Sequence, residues 1–120
     1  MKLLICDDDT MTIRALEFQF KRDGFEVFKA HSGREAQTIL TENEDIDLLI
    51  TDIYMPSMNG MELITFVRND LKRNIPILVL SRANVEDTSQ LAFDLKANEY
   101  LTKPVNLEDL SYKVKQLLEK

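Results

Sequence analysis

Cysteine and histidine each occur once in 120 residues, and glycine and proline three times each. A lone cysteine, Cys6, excludes an intramolecular disulfide. It stands inside an apolar run, which predicts a small buried residue. A reactive thiol would need a neighbouring base, and His31 belongs to a different predicted element. With one cysteine and one histidine, the usual zinc ligand set is missing. No apolar run approaches the roughly 20 residues of a membrane span. Only Lys2 separates Met1 from the first apolar run, so no secretory leader is read and the expected compartment is the cytoplasm. Lys and Arg are nowhere concentrated, and the net charge is −6. Such a chain has little to offer a phosphate backbone, so neither nucleic acid nor membrane is an expected direct partner.

What is present is a regular alternation. Apolar runs "LLIC" (3–6), "FEVF" (25–28), "IDLLIT" (46–51), "IPILVL" (75–80) and "EYLT" (99–102) are separated by amphipathic segments. The first, third and fourth runs are nearly continuous in apolar residues, as strands covered on both faces of a parallel sheet must be. "FEVF", interrupted by Glu26, reads as an edge strand. The first helical segment carries Ile13, Leu16 and Phe20 on one face and is stopped by Gly24. The second opens with the capping-box spacing Ser32 and Glu35, followed by Ala36, Ile39 and Leu40. A third starts near Asn59-Gly60 and presents Met61, Leu63, Ile64 and Val67; a fourth runs from Val85 to Leu95. A fifth is capped by Asn106 and presents Leu107, Leu110, Val114, Leu117 and Leu118. The composition is globular and there is no linker or repeat, so residues 1–120 are read as one α/β domain. The expected fold is a doubly wound five-stranded parallel sheet, (βα)5, of flavodoxin-like order 2-1-3-4-5.

In a parallel sheet the carboxyl ends of all strands share one rim. Here that rim collects Asp7, Asp8 and Asp9 from strand one, Asp52 from strand three, Ser81 from strand four and Thr102-Lys103 from strand five. Singly, each reads as an ordinary strand end, helix cap or turn residue. Together, carboxylates facing one lysine make a polyanionic site suited to a hard cation such as Mg2+, which prefers oxygen ligands and often shares them with a phosphate. A carboxylate at such a site is a nucleophile for phosphoryl transfer, and Mg2+, Lys103 and Ser81 could serve the transferred oxygens.

"ICDDD", "LLITDIYMPSMNGMEL", "ILVLS" and "YLTKP", in this order and spacing, resemble the receiver domain of bacterial two-component response regulators over essentially the whole chain. The resemblance implies Asp52 as phosphoacceptor and Asp7 and Asp8 as the magnesium-binding pair, Asp8 directly and Asp7 largely through water. It implies the Tyr54 backbone carbonyl as a further metal ligand beside Asp52, Ser81 as switch hydroxyl, and Lys103 as the phosphate-pairing ammonium. Tyr100 would be the aromatic that turns inward on activation, and the bond before Pro104 would be cis. Asp9 lies beyond the pair and is assigned to the start of the first helix. The implied phosphodonor is a sensor histidine kinase or phosphotransfer protein. The output is a downstream protein or a domain outside these residues, with a phosphorylation-dependent homodimer as one form. No catalysis is expected beyond the domain's own phosphorylation and slow dephosphorylation.

Two positions depart from the family pattern. Arg82 follows the switch hydroxyl where a small residue is usual, so it could narrow access to Asp52 or pair with the phosphoryl group. Lys96 stands where glycine is usual, at a strain cost if the turn needs a positive φ. Three rival readings fit the sequence less well. A haloacid dehalogenase-type phosphatase would need Thr or Val where Met11 stands, and a flavodoxin-like phosphate loop would be repelled by "DDDTMT". A phosphorylation-independent interaction module on the same fold usually loses the acids, which are retained here; Arg82 is its best support.

Overall fold

The computed structural model describes residues 1–82 and 87–119. Five strands, β1 (Lys2–Cys6), β2 (Glu26–Ala30), β3 (Leu48–Asp52), β4 (Ile77–Ser81) and β5 (Glu99–Thr102), pair in parallel in the order β2-β1-β3-β4-β5. Five helices connect and follow them: α1 (Thr10–Arg22), α2 (Gly33–Glu42), α3 (Gly60–Thr65), α4 (Ser89–Asp94) and α5 (Leu107–Leu118). None is long and apolar enough to cross a membrane among the described residues. The class and strand order are those expected, and β2 lies at an edge. β2, β3 and β4 each begin one or two residues later than the apolar runs suggested, because Phe25, Ile46 and Ile75 lead into the strands without joining the ladder.

Side chains alternate across a strand, so each continuous apolar run feeds two cores. Leu3, Ile5, Leu48, Ile50, Leu78 and Leu80 face α1 and α5, packing on Ile13, Leu16, Phe20, Leu110 and Val114. On the opposite face Leu4, Cys6, Leu49 and Val79 meet Ala36 and Leu40 of α2, Leu63 and Ile64 of α3, and Ala92 of α4. Each fully buried Leu or Ile contributes about 1.5–3 kcal/mol relative to exposure. Burial, first of all, pushes the Cys6 thiol up to about 12, so it is a core residue.

The helix starts are set by side-chain caps that satisfy otherwise orphaned N–H groups. Ser32 accepts from the Glu35 N–H and Asn106 from those of Glu108 and Asp109, at the expected positions. Asn59 and Glu62 form a reciprocal capping box that the sequence reading did not single out. Gly24, at φ 96°, follows the end of α1 where the stop was expected. α3 runs on as a π-helical segment (Phe66–Asp70), with Leu71 N–H bonded to the Phe66 carbonyl. The expected start of α4 at Val85 lies outside the described residues, and the described helix begins at Ser89.

The turn between α4 and β5 does need a positive φ at Lys96, 80°, the condition under which a non-glycine residue is strained. Its carbonyl accepts from Arg68 Nη2 at 2.9 Å. The same guanidinium reaches the Arg73 carbonyl at 2.8 Å and Asn98 Oδ1 at 2.9 Å. Asn98 Oδ1 also accepts from Ile77 N at 2.8 Å, so one arginine ties the end of α3 to the entries of β4 and β5.

Candidate functional site

Parallel pairing carries the strand ends to one rim. Asp52 pairs in register with Leu80, and Ser81 with Thr102, so the groups that follow them meet above the middle of the sheet. Asp52 is the last residue of β3 and is 1% exposed. Its Oδ1 accepts from the Ile53 N–H at 2.7 Å. The chain then turns back at Gly60, whose N–H bonds the Ile53 carbonyl at 2.7 Å. A Cβ at Gly60 would stand 2.2 Å from the Asp52 carbonyl oxygen, so only glycine allows this close return.

Asp7 follows β1 and is 2% exposed. Its Oδ2 accepts from Lys103 Nζ at 2.6 Å, and its Oδ1 from the Asp9 N–H at 2.9 Å. The same Lys103 ammonium lies 3.4 Å from Asp52 Oδ2. Lys103 is held in place by its own N–H, which bonds the Ser81 carbonyl at 2.7 Å, and the Lys103–Pro104 peptide bond is cis. Asp8 turns toward solvent from the same loop, with its side chain 34% exposed.

Asp7, Asp8 and Asp52 each place one carboxylate oxygen within 4.8 Å of the others. Three hard, acidic oxygens so close together fit a divalent cation such as Mg2+. Asp9 is not part of this group: its carboxylate takes the Met11 N–H at 3.1 Å and the Thr12 hydroxyl at 2.8 Å. Those bonds, Thr12 first, lower its pKa, as befits the cap of α1.

Electrostatics separate the buried groups. Burial pushes the Asp52 carboxyl above its ordinary range; the Lys103 charge pulls it back, and Asp7 adds to the rise. Burial works against the charge on Lys103, but its hydrogen bond to Asp7 and the charges of Asp7 and Asp52 outweigh it and raise its pKa. Lys103 therefore remains an ammonium at neutral pH, in contact with both Asp7 and Asp52.

The remaining expected residues divide by position. Ser81 ends β4 and is 2% exposed at the same rim. Tyr54 lies two residues beyond Asp52 with its side chain exposed. Tyr100 is half-buried, and its hydroxyl lies 3.2 Å from Thr88 Oγ1 and 3.4 Å from the Thr88 N–H, a tie to the start of α4 that no sequence signal announced. Arg82 reaches across the rim: Nη2 is 3.3 Å from Asp8 Oδ1, and Nε is 3.9 Å from Asp52 Oδ2. Its place after β4 made proximity to Asp52 readable; its contact with Asp8, 74 residues away, depends on the direction a long side chain takes across the rim and was not.

The family model for the response regulator receiver domain matches residues 3–115. Among solved structures, a putative response regulator from Chloroflexus aurantiacus J-10-fl is similar at 36% identity and a TM-score of 0.91, covering 99% of this chain and 98% of its own. A response regulator receiver domain protein from Clostridium thermocellum is 33% identical with a TM-score of 0.90, covering 98% and 94%. A probable two-component system response regulator/GGDEF domain protein matches 99% of this chain with 49% of its own length, at 26% identity and a TM-score of 0.89.

Proposed function

The chain belongs to the response regulator receiver domain family, and from that premise we propose that it is a phosphorylation-activated switch with Asp52 as the phosphoacceptor. The observation that carries this reading is the Asp52 carboxylate, buried at the end of β3, steadied by the Ile53 N–H and flanked by Lys103, Asp7 and Asp8. The donor is the phosphohistidine of a sensor histidine kinase or phosphotransfer protein. A carboxylate oxygen of Asp52 forms the new bond to phosphorus while the histidine N–P bond breaks, and the electron pair returns to the imidazole nitrogen. Burial leaves Asp52 poorly solvated, and Lys103, already within reach, offsets the negative charge gathering on the phosphoryl oxygens. Asp7 holds that ammonium at the rim. Asp7, Asp8, Asp52 and the Tyr54 carbonyl are the residues that would hold Mg2+, which when bound neutralises phosphoryl charge.

The output follows from what the added charge draws in. Ser81 is buried beside the acceptor and donates its hydroxyl to the phosphoryl group. Tyr100 exchanges its bond to Thr88 for an inward position, and the α4–β5–α5 face changes its packing. That face acts on a downstream protein or an output domain, through a homodimer in one form. Catalysis is confined to the domain's own phosphorylation and slow dephosphorylation, in the cytoplasm. Arg82, lying over Asp8 and close to Asp52, favours one other reading: an interaction module that never takes up phosphate. Acetyl phosphate or beryllofluoride with Mg2+ separates the two. The switch gives an adduct at Asp52, seen by mass spectrometry or NMR and lost in Asp52→Asn. No adduct, or one that survives that substitution, overturns the switch.

A further inference from the structure

We propose that Arg82 is a built-in counter-ion that occupies the divalent-cation seat, and that it must leave Asp8 before a cation is bound. This rests on the reading of the acidic rim given above. The guanidinium lies 3.3 Å from Asp8 and 3.9 Å from Asp52, two of the three carboxylates whose oxygens converge. The third, Asp7, is taken by Lys103 at 2.6 Å. Arg82 and Lys103 both reach Asp52 Oδ2, at 3.9 and 3.4 Å, but at Asp8 it is Arg82 that makes the ion pair. A guanidinium on Asp8 and a divalent cation on the same carboxylate repel each other, so each weakens the other's hold.

The contact is also built to be exchanged. The Arg82 side chain is 49% exposed and Asp8 34%, a setting in which ion pairs are weak and screened by water. Lys103, by contrast, is 20% exposed against a partner at 2% and is not positioned to yield. Arg82 has room to swing: it lines, with Leu16, Leu80, Val105 and Leu107, a cavity of about 570 Å3 beside the site. Its methylenes can therefore keep to that apolar wall while the guanidinium turns from Asp8 to water. Cation affinity at this rim is then the outcome of a competition, and the residue after β4 sets its terms.

The test uses the full chain and Mn2+, followed by the electron paramagnetic resonance signal of the free ion. Arg82→Ala, with an otherwise unchanged amide spectrum, is expected to bind Mn2+ roughly three- to fivefold more tightly than the parent, the size of an exposed ion pair removed. In the parent, the Arg82 Nε–H resonance, assigned by its loss in Arg82→Ala, should move in step with Mg2+ occupancy. Departure, as distinct from the nearby ion's field, should also be seen as loss of the contact between the Arg82 guanidinium protons and Asp8 in the Mg2+-saturated protein. Equal or weaker Mn2+ binding by Arg82→Ala, or an Nε–H resonance that stays fixed through saturation, overturns the inference and leaves the metal site standing. Failure of both proteins to bind Mn2+ removes the site and the inference together.

Discussion

β3 and β5 stand two places apart in one sheet and are built differently. All five residues of β3 are buried, including Thr51 and Asp52, and it is paired on both sides. No residue of β5 is fully buried, and it pairs with β4 alone. The helices repeat the contrast. α1 has 13 residues, a side-chain cap and three large residues in the core. α4 has six described residues, no side-chain cap bond and Ala92 as its one buried residue, and it exposes Leu91 and Phe93. The acid-bearing side of the rim therefore sits on strongly anchored backbone, while the side that carries Tyr100 is lightly packed. Local opening is cheapest where few apolar contacts must break. A switch of the proposed kind needs this division: an acceptor that holds still and a reporter that does not.

The comparison can be broken most directly in the core. Leu49→Ala should cost about 2–5 kcal/mol in urea denaturation, whereas Leu91→Ala should stay within about 0.5 kcal/mol. Similar losses at the two sites would erase the distinction between the halves. A smaller effect is expected at the acceptor itself. Asp52 has its pKa raised by burial, so its charge weighs on the folded state. Asp52→Asn should therefore stabilise the domain at neutral pH, on the order of 1 kcal/mol. The sign with pH is fixed by linkage: the folded domain holds the Asp52 proton more tightly than the unfolded chain does. The advantage of Asp52→Asn is complete above the raised folded pKa and disappears as pH falls through it toward the ordinary aspartate value. A gap between the two proteins that widens on acidification would reverse this assignment. The smallest effect belongs to the lightly packed half. Lys96→Gly should add roughly 0.5–1 kcal/mol by relieving a positive φ. Amide exchange in β5 should slow with it if the turn limits that half.

Much of this was legible because local rules and the fold agree. Continuous apolar runs gave the buried strands, and Ser32, Asn106 and Gly24 marked helix ends through short-range bonds that one segment can reveal. Asp7, Asp8, Asp52, Ser81 and Lys103 could be placed on one rim because parallel strands must share it. What stayed hidden depends on side chains that reach between elements. Arg68 on Lys96 and Asn98, Arg82 on Asp8, and Tyr100 on Thr88 are set by where whole elements pack. The π-helical continuation of α3 was missed for a related reason: its residues fit an ordinary helix period, and only the packed structure shows the wider turn.

The bond between Lys103 and Asp7 joins residues 96 positions apart. Synthesis delivers Asp7 and Asp8 first, Asp52 next and Lys103 after all three. A growing chain that has emerged only through β3 can pair β1 with β3, but doing so crowds three acids with no ammonium among them. Their repulsion works against a half-made sheet, and closing the long loop to β5 relieves it. The arrangement that prepares Asp52 for chemistry thus also makes β5 the element that completes the charge balance of the sheet.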